Sequence, residues 1–217
     1  VNLSHGAREQ HQELLQIIKK INASRAVPIG VMLDTRGAEI RTGDVQTPLA
    51  INEGQEIVFC PGDCETTPPA NTIHVNYDGF ADDVRETDRI LLDNGELSFA
   101  ITDIRDDGSV LATALEAGEI GSRRHINLPG ADVDLPSITD KDWDDIAFGA
   151  KEGIDYVALS FIRTAAEVES VRSCLQERGA ATQIITKIET RQAVEALEAS
   201  VAASDAIMVA RGDLGAE

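Results

Sequence analysis

Lys187 and Glu189 have the residue types and the spacing that chemistry at a strand end requires. They close the run QIITKIE at residues 183–189, which is apolar and β-branched at its start, as in a strand buried on both faces. Residues two apart in a strand point to the same side, so Lys187 and Glu189 are predicted to share one face, with Ile188 pointing away.

A second strand-like run follows and also ends in charge. Residues 206–210, AIMVA, lead into Arg211, Gly212 and Asp213. Two carboxylates and a lysine are therefore predicted at the carboxyl ends of neighbouring strands, where barrels and doubly wound sheets hold their active sites. A structural ion pair between Lys187 and Glu189 remains an alternative, because such pairs also shift protonation.

Composition limits the classes of partner. The 217 residues are 42% hydrophobic and carry a net charge of -19, which argues against nucleic acid and anionic membranes. Carboxylates can nevertheless hold divalent cations that bind a phosphorylated small molecule. No apolar run approaches the roughly 18 residues of a membrane span, and we expect a cytoplasmic protein. Cys60, Cys64 and Cys174 are interpreted as free thiols.

An all-β pattern interrupts an α/β pattern. Alternating runs with turn signals such as Asp93-Asn94-Gly95 fill residues 43–135, whereas residues 1–42 and 136–217 alternate helices with buried strands. The latter ranges hold roughly four βα units, and a closed barrel needs about 250 residues. We therefore expect an α/β fragment of an incomplete barrel with an inserted all-β domain.

Helix boundaries follow from caps and apolar stripes. Thr139 with Asp142, and Thr164 with Glu167, have capping-box spacing. Two further helices are predicted from stripes of apolar residues, namely Leu14, Ile17, Ile18 and Ile21, and then Val194, Leu197 and Val201. Residues 27–33 are predicted to form the strand that ends at Asp34 and Thr35.

Eight motifs occur here in the order found in the pyruvate kinase family: VNLSHG, LDTRGAEIRTG, LLDNGE, GSRRHINLPG, DLPSITDKD, YVALSFIR, IITKIET and SDAIMVARGDLGAE. The resemblance covers the whole chain. It implies a TIM (β/α)8 barrel, represented by about strands two to six, with a β-barrel lid inserted after the third strand. It also implies a glycolytic phosphotransferase that converts phosphoenolpyruvate and ADP to pyruvate and ATP, as a cytoplasmic homotetramer.

The same resemblance assigns catalytic and substrate-binding residues. Lys187 and Arg41 would contact the transferring phosphoryl group, and Ser160 would line the site. Backbone N–H groups around Gly212 and Asp213 would receive the substrate carboxylate. A loose phosphoryl-transfer transition state needs this positioning and positive charge more than covalent help.

Metal and nucleotide ligands are implied in the same way. Glu189 and Asp213 would hold magnesium or manganese, and Glu39 occupies the position whose Glu accompanies potassium dependence. Four residues match the family's potassium ligands: Asn2, Ser4, Asp34 and Thr35. Three residues would lie near the nucleotide phosphates: Arg123, Arg124 and His5.

Departures from the family pattern and two other functions complete the prediction. Arg36 and Ala38 stand where the family more often has Lys and Pro, and an arginine two residues before Asn2 falls outside the chain. We therefore expect the isolated chain to be inactive. The alternatives are a magnesium-dependent aldolase or lyase that forms a pyruvate enolate, and a noncatalytic fragment that binds metal or nucleotide.

Overall fold

Two compact units make up the chain in the computed structural model, which describes residues 1–4, 6–62 and 71–216, apart from the side chain of Glu86. The α/β unit comprises Val1–Ala38 and Pro136–Leu214. The all-β unit comprises Glu39–Leu135 with a few C-terminal residues.

The elements alternate between the units along the chain. The α/β unit begins with α1 (Arg8–Asn22) and β1 (Met32–Asp34). The all-β unit follows with β2 (Ile40–Arg41), β3 (Leu49–Ile51), β4 (Glu56–Pro61), β5 (Thr72–Val75), α2 (Phe80–Asp83), β6 (Arg89–Leu92), β7 (Leu97–Ile104), β8 (Val110–Ala114), β9 (Gly118–Ile120) and β10 (His125–Asn127). The α/β unit resumes with α3 (Asp140–Glu152), β11 (Tyr156–Leu159), α4 (Ala165–Glu177), β12 (Gln183–Ile188), α5 (Arg191–Glu195), α6 (Leu197–Ala203), β13 (Ala206–Val209) and α7 (Arg211–Leu214).

The α/β unit is built on a parallel sheet in the order β1-β11-β12-β13. In the register, Leu33 pairs with Val157 and Val157 pairs with Ile184. The first residues extend this sheet, because Asn2 pairs in parallel with Asp34 and the Leu3 N–H donates to the Asp34 carbonyl at 2.9 Å. All these strands end at one edge of the sheet, as expected for βα units.

Helix caps and alternation along the strands place the core of the α/β unit. Both capping boxes are confirmed, Thr139 with Asp142 at the start of α3 and Thr164 with Glu167 at the start of α4. On β12, Ile184, Thr186 and Ile188 are buried, and Lys187 alternates with them and faces the opposite side. The core of the α/β unit therefore lies on the face of β12 that carries Ile184.

Two predicted apolar stripes are more exposed than the sequence suggests. Leu15 is buried in α1, but six stripe residues are 40–51% exposed: Leu14, Ile17, Ile21, Val194, Leu197 and Val201. The helices that carry these residues are α1, α5 and α6, and their apolar stripes are only partly covered by the described residues. The strand predicted over residues 27–33 is also shorter, since the Asn22 side chain bonds both backbone groups of Ile29 and keeps this segment irregular before β1.

The sheet of the all-β unit closes on itself. Its strand order is β2-β10-β6-β7-β8-β4-β5, and Thr42 pairs with Val75 to join the first strand to the last. The Gly43 N–H adds a bond to the His74 carbonyl at 2.7 Å. Closure removes exposed strand edges and encloses an aromatic core in which Phe59 and Phe99 meet edge to face at 5.2 Å.

The boundary between the units lies at Ala38 and Glu39, a few residues before the predicted boundary at 42 and 43. The reason is that Ile40 and Arg41 pair with β10 and so join the all-β unit.

The free-thiol prediction holds for Cys174 but is wrong for Cys60, which is disulfide-bonded. Pairing depends on the positions of the Cβ atoms, which sequence spacing does not reveal. Cys64 lies outside the described residues. Within the described ranges, no helix has both the length and the apolarity that a membrane span requires.

Candidate active site

Lys187 lies among the ends of three neighbouring strands. Its Nζ donates to Ser160 Oγ at 2.8 Å, and it forms ion pairs with Glu189 Oε1 at 2.8 Å and with Asp34 Oδ1 at 3.3 Å. Only 14% of the Lys187 side chain is exposed. Lys187 and Glu189 therefore share one face, as predicted, and the parallel register brings residues from β1, β11 and β12 to a single ammonium group.

Glu189 is fully buried and is oriented by a strained turn. Its Oε2 accepts a hydrogen bond of 2.7 Å from the Phe161 backbone N–H. Phe161 has a φ of 53°, in the left-handed region that non-glycine residues rarely occupy. Such a conformation costs about 1–3 kcal/mol and tends to occur at functional sites. Nothing in the residue types indicated this contact, because its donor is a backbone amide that every non-proline residue has.

Ser160 and Thr35 connect the ends of β1 and β11. The Ser160 N–H donates to Thr35 Oγ1 at 3.0 Å, and Ser160 Oγ donates to the Thr35 carbonyl at 2.7 Å. Both residues are at most 4% exposed. Because Ser160 Oγ also accepts from Lys187, these bonds fix the position of the lysine ammonium relative to both strands.

Two carboxylate oxygens in this cluster have no hydrogen bond from the described residues: Asp34 Oδ1 and Glu189 Oε1. Each is buried and lies within ion-pair distance of Lys187, but outside hydrogen-bond geometry. Lys187 is the charge partner of both oxygens, and a carboxylate oxygen with one cationic partner still has lone pairs for another. Carboxylate oxygens are the ligands that hard cations prefer, so these two atoms fit the requirements of a bound cation.

Burial and neighbouring charges act on both members of the Lys187–Glu189 pair. Burial disfavours the Lys187 charge, but Glu189 and Asp34 outweigh it and raise the lysine pKa above its ordinary value. Burial also raises the pKa of Glu189; Lys187 and the Phe161 N–H oppose that shift, and the charge of Asp213 adds to it. Lys187 is thus a permanent cation at neutral pH.

Asp213 and Gly212 lie in α7, directly after β13. The effect of Asp213 on the pKa of Glu189 places the two carboxylates in the same electrostatic environment. Among the described residues, no group of three or more His, Cys, Asp or Glu side chains could hold a metal ion. A magnesium ion here would therefore take two carboxylates, and magnesium commonly completes its shell with water and substrate oxygens.

The residues matched to potassium ligands lie around the end of β1. Asn2 pairs with Asp34 in the sheet, and Thr35 follows Asp34 in sequence. Asn2 Oδ1 accepts from the Ser4 N–H at 2.8 Å, which ties these two residues together. Asp34 faces Lys187 through Oδ1, so it belongs to both the predicted potassium site and the lysine cluster.

Arg41 and Glu39 form a two-bond ion pair within the all-β unit. Arg41 Nε and Nη2 donate to the two Glu39 carboxylate oxygens at 2.7 and 2.8 Å. Arg41 Nη1 donates to the Arg123 carbonyl at 2.6 Å. The bidentate geometry holds the guanidinium plane, as for an arginine that contacts phosphate.

The two basic residues matched to nucleotide contacts also have carboxylate partners in the all-β unit. Arg123 donates to both oxygens of Asp44, at 2.9 and 3.0 Å, and Arg124 Nη1 donates to Asp93 at 2.7 Å. The Arg123 and Asp44 side chains are 73% and 66% exposed, so this pair is weak and open to exchange with a phosphate. His5 lies outside the described residues.

Comparison with known proteins connects the chain to one family. The whole chain, residues 1–217, matches the pyruvate kinase barrel domain. It is 41% identical to plastidial pyruvate kinase 2 of Arabidopsis thaliana and 39% identical to a pyruvate kinase of Staphylococcus epidermidis, each over 100% of this chain and 37% of the relative. Pyruvate kinase 1 of Trypanosoma brucei brucei is 38% identical over 100% of this chain and 44% of its own length. The chain therefore spans well under half the length of these relatives.

Proposed function

The chain belongs to the pyruvate kinase family, and we propose on that premise that the protein carrying it transfers the phosphoryl group of phosphoenolpyruvate to ADP. The observation that carries this proposal is the lysine cluster. In it, Ser160, Glu189 and Asp34 hold the Lys187 ammonium at the carboxyl ends of the strands of the parallel sheet. A preorganised cation of this kind suits a transition state that spreads negative charge over phosphoryl oxygens.

The reaction breaks the bond between phosphorus and the enol oxygen and forms a bond from phosphorus to a terminal ADP oxygen. The electrons of the broken bond stay on the enol oxygen, and the resulting enolate takes a proton at carbon to give pyruvate. Lys187 would neutralise the phosphoryl group during transfer. Ser160 would keep the ammonium at that point, because it bonds both Lys187 and the Thr35 carbonyl.

Glu189 and Asp213 are the residues that would hold magnesium or manganese. Glu189 Oε1 supports this assignment, because it is buried and its ion pair with Lys187 leaves lone pairs for a metal, and so does the electrostatic influence of Asp213 on Glu189. When bound, the ion supplies positive charge to the substrate carboxylate and the enolate oxygen. By the family resemblance, backbone N–H groups around Gly212 and Asp213 in α7 would receive the substrate carboxylate.

Potassium and the nucleotide complete the proposal. The buried carboxylate of Asp34 and the neighbouring residues Asn2, Ser4 and Thr35 would form the potassium site, and Glu39 would belong to a potassium-dependent enzyme. Arg41 would contact the transferring phosphate. Arg123, Arg124 and His5 would bind the nucleotide phosphates, with the exposed arginines exchanging Asp44 and Asp93 for them.

Assembly, location and activity of the isolated chain are part of the same proposal. We propose a cytoplasmic homotetramer, although one relative is plastidial by name. Residues 1–217 alone would be inactive, because this chain spans 37% of the length of that relative and the resemblance places further site residues elsewhere. The names of the relatives favour phosphoryl transfer over the aldolase or lyase alternative.

The stoichiometry of the products, pyruvate and ATP, tests this proposal. The complete protein that carries this chain, supplied with phosphoenolpyruvate, ADP, magnesium and potassium, should form pyruvate and ATP in equal amounts. Omission of ADP should abolish pyruvate formation. Pyruvate released at the same rate without ADP would indicate a phosphatase or lyase and overturn the proposal.

The 217-residue chain at equal concentration should give only the background rate, and robust turnover by it would refute the inactive-fragment proposal.

A further inference from the structure

Asp142 is a buried carboxylate that joins the start of α3 to the loop after β1. It is 1% exposed. Its Oδ1 accepts from the backbone N–H groups of Arg36 and Gly37, at 3.1 and 3.3 Å. Its Oδ2 accepts from the backbone N–H and the hydroxyl of Thr139, at 3.0 and 2.6 Å. A capping box needs only the bonds to Thr139, so the loop contacts of Oδ1 are additional.

The loop that Asp142 holds supports Lys187 through Thr35. Thr35 precedes Arg36 directly and bonds Ser160 twice, through its hydroxyl and its carbonyl. Ser160 Oγ in turn accepts from Lys187 Nζ at 2.8 Å. The position of the lysine ammonium therefore depends on the backbone path of the loop.

The same loop supports Glu189 through Gly37. Gly37 has a φ of 71°, and a Cβ atom there would lie 2.8 Å from Phe161 Cδ2 and 3.0 Å from the Ser160 carbonyl. The loop thus packs tightly against the strained turn whose Phe161 N–H orients Glu189. Two sets of contacts, one through Thr35 and one through Gly37, therefore connect Asp142 to the two charged residues of the cluster.

We propose that Asp142 is a positioning residue for the phosphoryl-transfer site, which fixes the loop at residues 35–37 and through it both Lys187 and Glu189. It does not contact substrate in this account. The kinetic part of this inference rests on the proposed function, whereas its effect on the loop does not.

The test compares Asp142→Ala and the milder, isosteric Asp142→Asn with the control Asp205→Asn in the complete protein. Asp205 also accepts a backbone N–H, from Ile184 at 2.8 Å, but at the opposite end of the strands. Because misplacement of about 1 Å can cost roughly a hundredfold in rate, kcat should fall at least about tenfold in Asp142→Ala. Asp142→Asn should show a smaller loss in the same direction, and the KM for ADP should change little. Asp205→Asn should lower the melting temperature but keep kcat.

Amide hydrogen exchange gives a readout independent of turnover and of the folding of the alanine variant. The Arg36 and Gly37 amides should exchange slowly in the wild type and faster in Asp142→Asn, but not in Asp205→Asn. Asp142 variants that melt at a lower temperature yet keep wild-type kcat and amide protection would overturn the inference. A wild type without pyruvate formation would instead contradict the proposed function, and the exchange result would still decide the role of Asp142 in the loop.

Discussion

The backbone N–H of Phe161 donates to Glu189 Oε2 at 2.7 Å, so a turn after β11 orients a carboxylate that follows β12. This relationship explains why a left-handed φ is kept at a phenylalanine. Gly37 packs tightly against this turn, where an added Cβ atom would lie 2.8 Å from Phe161 Cδ2.

Gly37→Ala should destabilise the protein by more than the cost of placing an alanine in a left-handed backbone conformation. The new Cβ would meet Phe161 Cδ2 at 2.8 Å in addition to adopting a φ of 71°. We expect a loss of about 2–4 kcal/mol in the free energy of unfolding, measured by chemical denaturation. Gly179→Ala is the matched control, since Gly179 has a φ of 64° and nothing within 4 Å of the added atom. Equal losses in the two variants would show that packing at Gly37 contributes nothing.

Glu189→Ala and Asp213→Ala should each weaken manganese binding by at least about tenfold. Loss of a residue that only supports a metal ligand already lowers metal affinity by about tenfold or more, so loss of a direct ligand should lower it at least as much. Electron paramagnetic resonance of free manganese measures the affinity directly. Glu152→Ala is the control, since Glu152 pairs with Lys19 at 2.7 Å and has no contact with the lysine cluster. Wild-type affinity in both test variants would exclude this pair as the metal site.

Manganese affinity should fall as the pH decreases. This fall should begin at a higher pH than it would for a metal ligand with the pKa of an ordinary glutamate. Burial raises the pKa of Glu189, so a proton competes with the metal before the pH reaches the ordinary value of about 4.3. Asp213→Asn should move the midpoint to lower pH, because the charge of Asp213 contributes to the shift. A wild-type midpoint at or below about pH 4.3 would contradict the raised pKa.

Asp34→Asn should raise the potassium concentration needed for half-maximal pyruvate formation. Asp34 Oδ1 is buried and ion-paired with Lys187 at 3.3 Å, and an amide there offers a cation a weaker oxygen ligand. The measurement is the rate as a function of potassium chloride, with tetramethylammonium chloride keeping the ionic strength constant. Asp155→Asn is a control, because the Asp155 carboxylate accepts the Val31 N–H in a different part of the sheet. An unchanged potassium requirement in Asp34→Asn would remove Asp34 from the site.

The sequence predicted the elements that follow from local patterns. The strand at 183–188 and both capping boxes depend on alternation and cap spacing, and the structure has them. The meeting of Lys187 with Glu189 followed from their spacing of two residues. Its contacts with Ser160 and Asp34 depend on the parallel register of three strands, which residue types alone do not specify.

Other features of the site could not be predicted because they involve backbone groups or distant partners. A left-handed backbone conformation is usually indicated by glycine or asparagine. Residue 161 is a phenylalanine, so the sequence did not indicate this turn. Asp142 was predicted as a cap, but its bonds to Arg36 and Gly37 join residues more than 100 positions apart. The apolar stripes of α1, α5 and α6 were visible in the sequence, but the exposure of each residue depends on which parts of the fold cover it, and periodicity alone does not specify that.

The most direct test of the central claim is the turnover of Lys187→Met in the complete protein. If Lys187 stabilises the migrating phosphoryl group, kcat should fall at least about a hundredfold, as for the loss of one preorganised donor, with manganese affinity largely kept. Lys19→Met is the control, because Lys19 forms a surface ion pair with Glu152 outside the cluster and its loss should leave kcat near the wild-type value. Near-normal turnover by Lys187→Met would contradict the account and make the Lys187–Glu189 pair purely structural.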